Sequence, residues 1–257
     1  MRRWARFRAA DGHIGFGVLD EQGIAEHQGN LFEQPIASGS RVPNGSFSLL
    51  SPCAPSKIIA LWNNFHALAA KLGKKAPSHP MYLIKPASSV AGPGQAIRRP
   101  LAYAGKIAYE GELGIVIGRP CKDVPPASAG DYILGYTCVN DVTAGELVDE
   151  NADFAQWCRA KGYDTFGCLG PVIASDFDWL GASVITRLDG VERQNYPLSD
   201  MIFSPPQLVG LISQDMSLWP GDVIACGTSL GVGSIRNGSS VEVVIDGIGS
   251  LLNTLEG

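Results

Sequence analysis

The sequence lacks the signals that mark several classes of protein. No apolar run approaches the roughly 20 residues that a membrane-spanning helix needs. The net charge is −5 and there is no block of basic residues, so nucleic acid is not an expected partner. The first segment, MRRWARFRAADGHIGFG, has arginines but no apolar stretch typical of a secretory signal. We therefore expect a cytoplasmic protein that binds neither membranes nor nucleic acids.

The sequence also lacks cysteine-based metal sites and phosphate-binding loops. No two of the six cysteines form a CxxC pair, and they show no zinc spacing with the four histidines. We expect all six to be reduced thiols. The Gly-rich stretch GTSLGVG lacks the Lys-Ser/Thr of a phosphate-binding loop and the spacing of a dinucleotide fingerprint. These absences leave neither zinc nor a nucleotide as an expected ligand.

Turn-forming residues are abundant. The 31 glycines and 17 prolines favour a mostly β (α+β) architecture with few helices. Residues 1–50 are predicted to form a small N-terminal β-rich domain, and SPCAPSK, from Ser51 to Lys57, is a plausible boundary before a main domain of residues 51–257. Helices are expected in NFHALAAKLG and in SPPQLVGLISQDM, where Ser204 is the predicted N-cap. Strands are not regularly separated by helices, which argues against a doubly wound parallel sheet.

One apolar strand contains two carboxylates. In YEGELGIVIG, Glu110 and Glu112 lie two residues apart, so both side chains point to the same face of a strand. The repulsion between the two carboxylates is relieved if the face is solvated, if they share a proton, or if a cation lies between them. A third carboxylate, Asp141, ends the apolar strand YILGYTCVND. Together the three side chains form a candidate oxygen-only site for a hard cation, Mg²⁺ first, with Mn²⁺ or Ca²⁺ as alternatives.

An ordered set of motifs then resembles one known family. The set is PSKIIAL, LIKPASSVAGPG, YEGELGIVIG, GYTCVNDVTAGELV, QWCRAKGYDTFGCLGPVI, NYPLSDMIF, LWPGDVIACGTSLGVG and VEVVIDGIGSLLN. From about residue 50 to the end, the chain resembles the fumarylacetoacetate hydrolase superfamily. Residues 1–50 look like the short N-terminal domain of many bacterial members.

The resemblance implies a fold, an assembly and a set of site residues. The fold would be a β-sandwich roll with few helices, commonly a homodimer. Glu110, Glu112 and Asp141 would bind Mg²⁺ or Mn²⁺, and Lys161 would contact substrate oxygens near the metal. Thr228 would help to hold a substrate carboxylate. Gln156 is a further candidate for substrate binding.

The segment after the PSKI strand departs from the family. Many members carry a water-activating His and Glu on a short lid helix, and an ungapped alignment places these at Leu68 and Lys71. His66 is two places away, about 200° around a helix, and would face nearly the opposite side. His79, in a nearby loop, is a speculative displaced base. Trp62 replaces a family Gly and is expected to narrow the pocket.

Smaller departures and one undecided lysine remain. Gly145 replaces a family Arg, which removes a charge, and Ser229 replaces a Pro in the GTPxGVG turn, which changes its stiffness. Lys85, in LIKP, fits two interpretations equally well: it lines the pocket, or it is a strand-end charge in solvent.

The resemblance implies enolate chemistry on a small carboxylate substrate. The leading hypothesis is metal-dependent cleavage of a carbon–carbon bond in a 2-oxo or 1,3-dicarbonyl carboxylate, by acylpyruvate-type hydrolysis or by decarboxylation. The alternative is an isomerase of a 2-hydroxydienedioate of the kind found in aromatic catabolism. A third hypothesis is a non-catalytic 2-oxo acid binder that has kept the metal site.

Overall fold

Strands are the main regular secondary structure of the protein. The computed structural model describes residues 1–257. The strands are β1 (Arg2–Ala9), β2 (Ile14–Asp20), β3 (Gly23–Gln28), β4 (Ile36–Pro43), β5 (Phe47–Leu49), β6 (Lys57–Trp62), β7 (Met81–Pro86), β8 (Val90–Ala91), β9 (Ile97–Arg98), β10 (Ile107–Tyr109), β11 (Gly111–Ile117), β12 (Ile133–Asp141), β13 (Thr143–Ala144), β14 (Gly167–Ser175), β15 (Ser183–Leu188), β16 (Val191–Pro197), β17 (Val223–Ala225), β18 (Gly233–Ile235), β19 (Ser240–Ile245) and β20 (Gly249–Glu256). The helices are α1 (His66–Lys71), α2 (Trp157–Lys161) and α3 (Pro205–Asp215). The predicted mostly β class is confirmed.

Two large sheets enclose the main core. The larger has the strand order β4-β3-β2-β1-β14-β12-β11-β17-β6-β7, and the smaller runs β16-β15-β19-β20-β9. The odd residues of β11, Leu113, Ile115 and Ile117, pack in the same buried cluster as Val243 and Leu251 of the smaller sheet. The alternation in ELGIVIG therefore predicted correctly which face of β11 packs in this core.

The N-terminal strands belong to the larger sheet. The first four strands form an antiparallel meander, and β1 continues into the main sheet by pairing with β14, with Trp4 opposite Ile173. Trp4 shares a second apolar cluster, on the other face of the sheet, with Ile58 and Val116. The division at residue 50 stays a prediction about domains, but hydrogen bonds of one sheet join the two sides of it.

The helices are few and short. Ser204 precedes α3 and forms a capping box with Gln207, as the sequence predicted. The first helix, α1, has no side-chain cap of its own; the carboxylate of Asp200 accepts a hydrogen bond from Ala67 N at 2.9 Å instead. After α1 the chain turns at Gly73, whose φ of +63° is a conformation that glycine adopts without strain. No helix of the structure is both long and apolar enough to cross a membrane.

Candidate active site

Three chain segments meet at one end of the sheet interface. Glu110 interrupts the predicted strand, because β10 belongs to a small sheet with β13 and β18 whereas β11 belongs to the larger one. Asp141 is the last residue of β12, and its backbone N–H donates to Glu110 O at 2.9 Å. Lys161 is the last residue of α2. Strand pairing of β11 with β12 therefore brings side chains from positions 110, 112 and 141 together.

The three carboxylates form a compact cluster. One oxygen from each of Glu110, Glu112 and Asp141 lies within 4.8 Å of the others. Glu112 is fully buried, so the solvated-face alternative is wrong for this residue. Burial raises the pKa of Glu112, and the charges of Asp141 and Glu110 raise it further. Negative charge therefore outweighs positive charge in the surroundings of Glu112.

Lys161 is the cation at the open side of the cluster. Its Nζ donates to Asp141 Oδ2 at 2.7 Å, to Glu110 Oε2 at 3.0 Å and to Thr143 Oγ1 at 2.7 Å. Burial alone would lower the pKa of Lys161, but the charges of Asp141, Glu110 and Glu112 outweigh it and raise the pKa. Lys161 is therefore a fixed ammonium group and a poor general base at neutral pH.

Lys85 is the second cation of the cluster. Its side chain is 1% exposed, so the interpretation of a strand-end charge in solvent is wrong. Its Nζ donates to Asp141 Oδ1 and to Val142 O. Burial lowers the pKa of Lys85, although Asp141 opposes the shift. Asp141 is buried as well, but the charges of Lys161 and Lys85 outweigh burial and lower its pKa.

The donor set fits a hard divalent cation. All three groups are carboxylates, which Mg²⁺ and Mn²⁺ prefer over soft ligands. Glu112 Oε2 accepts a hydrogen bond from Gly227 N at 2.8 Å, but its Oε1 is buried without any partner. A buried carboxylate oxygen left unpaired costs free energy that a bound cation would recover. Glu110, Glu112 and Asp141 are therefore the residues that could hold the ion.

A pocket of about 200 Å³ opens above this cluster. Its polar base is formed by Glu110, Lys161 and Thr228. The rest of its lining comes from Leu61, Trp62, Asn63, Leu68, Trp157 and Val232. The rings of Trp62 and Trp157 lie 6.0 Å apart between centroids and are tilted by 50°. Both indoles thus form part of the wall, as expected for Trp62 and not foreseen for Trp157.

Thr228 is held in place by a buried amide. Its Oγ1 donates to Gly111 O at 3.0 Å and accepts from Gln194 Nε2 at 2.9 Å. The Gln194 Oε1 in turn accepts from Gly111 N at 3.0 Å. The Thr228 hydroxyl must rotate away from Gly111 O before it can donate to a substrate carboxylate. The sequence does not indicate that Gln194 belongs to the site, because it lies 83 residues from Gly111, which it contacts.

The lid helix does not bring the usual water-activating pair to the pocket. Leu68 lines the pocket at the position of the family His. Lys71 and His66 are both exposed. His79 is not among the lining residues; its Nε2 lies 3.3 Å from Asp215 Oδ2, on the last residue of α3.

Gln156 also lies outside the pocket lining. Its Nε2 donates to Phe154 O at 3.2 Å. Of the predicted substrate-binding residues, Lys161 and Thr228 line the pocket and Gln156 does not, and the speculative lid base His79 also lies outside the lining. Gln194, Thr143 and Asn63 are polar residues of the site that the motifs did not single out, whereas Lys85 had been left between two interpretations.

The chain matches two family models. Residues 57–256 match the model described as fumarylacetoacetate (FAA) hydrolase C-terminal, and residues 2–52 match the model described as Rv2993c-like, N-terminal. Protein Rv2993c of Mycobacterium tuberculosis is 41% identical over 251 residues, covering 96% of this chain and 92% of the relative. Both the main domain and the N-terminal segment therefore have relatives.

Two further relatives carry names that state a reaction. The crystal structure of 2-hydroxyhepta-2,4-diene-1,7-dioate isomerase from Mycobacterium marinum is 37% identical, with a TM-score of 0.89 over 100% of this chain and 98% of that one. Oxaloacetate tautomerase YisK of Bacillus subtilis is 36% identical over 214 residues, covering 78% of this chain and 70% of the relative. Both names describe shifts of a proton and a double bond in 2-oxo or 2-hydroxy acids.

Proposed function

Because the chain belongs to the fumarylacetoacetate hydrolase family and is an enzyme of that family, we propose that it cleaves a carbon–carbon bond in an enolisable 2-oxo or 1,3-dicarbonyl carboxylate. The reaction would depend on Mg²⁺ or Mn²⁺. The observation that carries the proposal is the cluster of Glu110, Glu112 and Asp141 beside Lys161, at the base of a pocket of small-molecule size.

The residues of the pocket base would act on the carboxylate end of the substrate. The bound cation would supply Lewis-acid stabilisation of charge on the substrate oxygens. Lys161 adds a fixed positive charge at the oxygen where the enolate develops. Thr228, after rotation of its hydroxyl, would donate to the substrate carboxylate. Lys85 and Thr143 keep Asp141 and Lys161 in position.

The fate of the enolate separates two routes. Hydrolysis needs a water molecule activated for attack, whereas decarboxylation needs only an electron sink. The pocket lining contains no histidine, and its only carboxylate is Glu110, which belongs to the cation site. This arrangement favours decarboxylation over hydrolysis that follows the usual His/Glu pattern.

Incubation with a substrate panel tests the proposal. Protein loaded with Mg²⁺ or Mn²⁺ is mixed with oxaloacetate-type and acylpyruvate acids, and the products are analysed by mass. Hydrolysis gives two fragments whose masses add up to the substrate plus one water molecule, whereas decarboxylation gives a product that is lighter by the mass of one CO₂ molecule. Full turnover after complete chelation of divalent cations would contradict the proposed metal dependence.

Isomerisation is the second candidate. It is favoured by the names of the two relatives above, and it needs proton transfer without cleavage or attacking water. Reaction in D₂O distinguishes it, because the substrate would gain deuterium with no change in carbon count.

The assembly and location expected from the sequence stay proposals. A homodimer and a cytoplasmic location both agree with the family resemblance. Light scattering of the purified protein at several concentrations would test the dimer directly.

A further inference from the structure

The outer part of the pocket is an apolar and aromatic wall around the polar base. The side chains of this wall are those of Leu61, Trp62, Leu68, Trp157 and Val232. Asn63 is the one polar residue of the lining that does not belong to the base, and its Nδ2 donates to Lys75 O at 3.1 Å. The part of a ligand that extends beyond the base therefore meets mainly carbon.

Trp62 carries apolar surface that the protein core does not use. It is the last residue of β6, it is half-buried, and it packs against neither of the two buried apolar clusters. Its aromatic neighbour is Trp157, with 6.0 Å between the ring centroids. Apolar surface that remains in water is free energy that a bound apolar group can recover by covering it. Trp62 thus adds unused aromatic surface to the pocket that it lines.

Trp157 connects the wall to the base. It is the first residue of α2, and Lys161 is the last. Residues four apart on a helix lie on the same face, about one turn or 5.4 Å apart along the axis. The Nζ of Lys161 contacts Glu110 and Asp141 at the base. A substrate whose 2-oxo carboxylate lies at the base would therefore reach the indole of Trp157 with the carbons beyond its reacting end.

The wall disfavours a second carboxylate. Lys161 is the only cation in the lining, and its Nζ already faces three oxygens at the base. The lysines of the nearby helix and loop, Lys71, Lys74 and Lys75, are exposed and lie outside the lining. A carboxylate at the wall would lose its hydration without gaining an ion pair, and the negative faces of the indole rings would repel it.

We propose that Trp62 and Trp157 are specificity residues that select substrates with a flat, uncharged, conjugated group, aryl or alkenyl, beyond the 2-oxo carboxylate. The indoles pack against that group, and Leu61, Leu68 and Val232 cover its edges. This inference rests on the proposed function, because the cation site at the base sets which end of the substrate meets the wall. The substrate class is thus narrowed to monocarboxylates such as aroylpyruvates and alkenoylpyruvates.

Three probes test the wall separately from catalysis. They are N-phenyloxamate, N-cyclohexyloxamate and N-oxalylglycine, which share a carboxylate with an adjacent carbonyl and differ in the remote group. An amide nitrogen replaces the enolisable carbon, so the proposed reaction cannot consume them. Their Kd values are measured by calorimetry on the Mg²⁺-loaded protein. We expect the phenyl probe to bind about fivefold more tightly than the more hydrophobic cyclohexyl probe, as one aromatic contact allows. N-oxalylglycine, with its second carboxylate, should bind most weakly.

Substitutions assign the preference to the two indoles. Trp62→Leu and Trp157→Leu keep an apolar side chain but remove the aromatic face, and each should bring the phenyl and cyclohexyl Kd values close to each other. Trp62→Phe and Trp157→Phe keep an aromatic ring and should retain the preference. Trp219→Leu is the matched control, because Trp219 is 53% exposed and does not line this pocket. Thermal unfolding of each variant checks that the fold is intact.

The outcomes separate this inference from the proposed function. A cyclohexyl probe that binds as tightly as the phenyl probe, tightest binding of N-oxalylglycine, a phenyl preference that both folded Leu variants keep, or no binding of any probe would overturn the role of the indoles. Failure of the substrate panel to yield any product, with the phenyl preference intact, would instead overturn the proposed reaction and leave the recognition of a flat group standing.

Discussion

The base of the pocket and the lid segment, residues 63–80, are built in different ways. The base consists of side chains from strand ends of the larger sheet and from α2, and nearly all their polar atoms pair with one another. The lid segment holds a six-residue helix that is tied to the rest of the protein by polar side chains, including Asn64 and Asp200. Under the proposed function, the sheet would hold the cation and stabilise the enolate, and the lid segment would control the access of substrate and water.

Removal of a buried carboxylate that could bind the cation should have the largest effect on turnover. Glu112→Gln keeps the shape of the side chain but removes its charge, so we expect loss of divalent-cation binding and at least about a thousandfold lower turnover. Calorimetry with Mn²⁺ and steady-state kinetics measure these effects. Unchanged Mn²⁺ affinity would show that the base is not the cation site.

The same variant should be more stable than the wild type without metal. A carboxyl group with a raised pKa in the folded state contributes its full stability below its unfolded pKa and loses it as the pH rises toward the folded pKa. Gln carries no charge at any pH and avoids this loss. Thermal unfolding of metal-free protein should therefore show a higher Tm for Glu112→Gln at about pH 7, with the difference shrinking toward about pH 4.

Removal of Lys161 should be the next largest effect. Lys161→Met leaves Glu110 and Asp141 without their shared ammonium group, so turnover should fall by about 10² to 10³. The metal-free variant should also lose about 3–5 kcal/mol of stability, because a buried ion pair is broken on one side. Arg159→Met, on the same helix but exposed and paired with Glu150, is the control and should behave like the wild type.

The lid side can be tested by restoring the missing pair. Leu68→His combined with Lys71→Glu places a His and a Glu where many family members have them. A positioned general base contributes about 10² or more, so the share of product formed by addition of water should rise. Mass analysis of products in H₂¹⁸O measures that share. Lys71→Glu alone is the control, and an unchanged share in the double variant would show that the missing pair does not limit hydrolysis.

The smallest effect is expected on the free energy of unfolding, for a substitution at the contact between the lid segment and α3. Asp215 accepts hydrogen bonds from His79 and from Tyr82, which lower its pKa. This stabilisation is present above the unfolded pKa of Asp and is lost as the pH falls through the lower folded value. Because the pair is exposed, Asp215→Asn should cost less than about 1 kcal/mol at neutral pH in chemical denaturation. A larger loss would mean that the lid is anchored mainly at this point.

The sequence predicted the base better than the wall. Alternation in β11 and the ordered motifs led to Glu110, Glu112, Asp141 and Lys161, which the structure brings together. The pairing of Glu110 with Glu112 could be inferred from strand geometry, and the role of Lys161 followed only from the family resemblance. The break of the strand at Glu110 could not be inferred, since it depends on β10 joining a different sheet.

Residues that act through distant contacts escaped prediction for a physical reason. The sequence left two interpretations of Lys85 open, a pocket residue or a solvent-facing strand end, and only its burial against Asp141 separates them. The buried amide of Gln194 can be recognised only from its contacts with Thr228 and Gly111. Neither property is encoded in periodicity or composition, because both depend on which parts of the chain meet in the fold.

The pairing of β1 with β14 bears on how this protein can be shortened. A truncated chain of residues 57–256, the span of the catalytic family model, would lack β1. The backbone of β14 around Ile173 to Ser175 would then be an open strand edge next to exposed apolar side chains of the second cluster. Free edges of this kind recruit strands from other molecules. We therefore expect that deletion of the N-terminal strands lowers solubility before it alters the chemistry of the pocket.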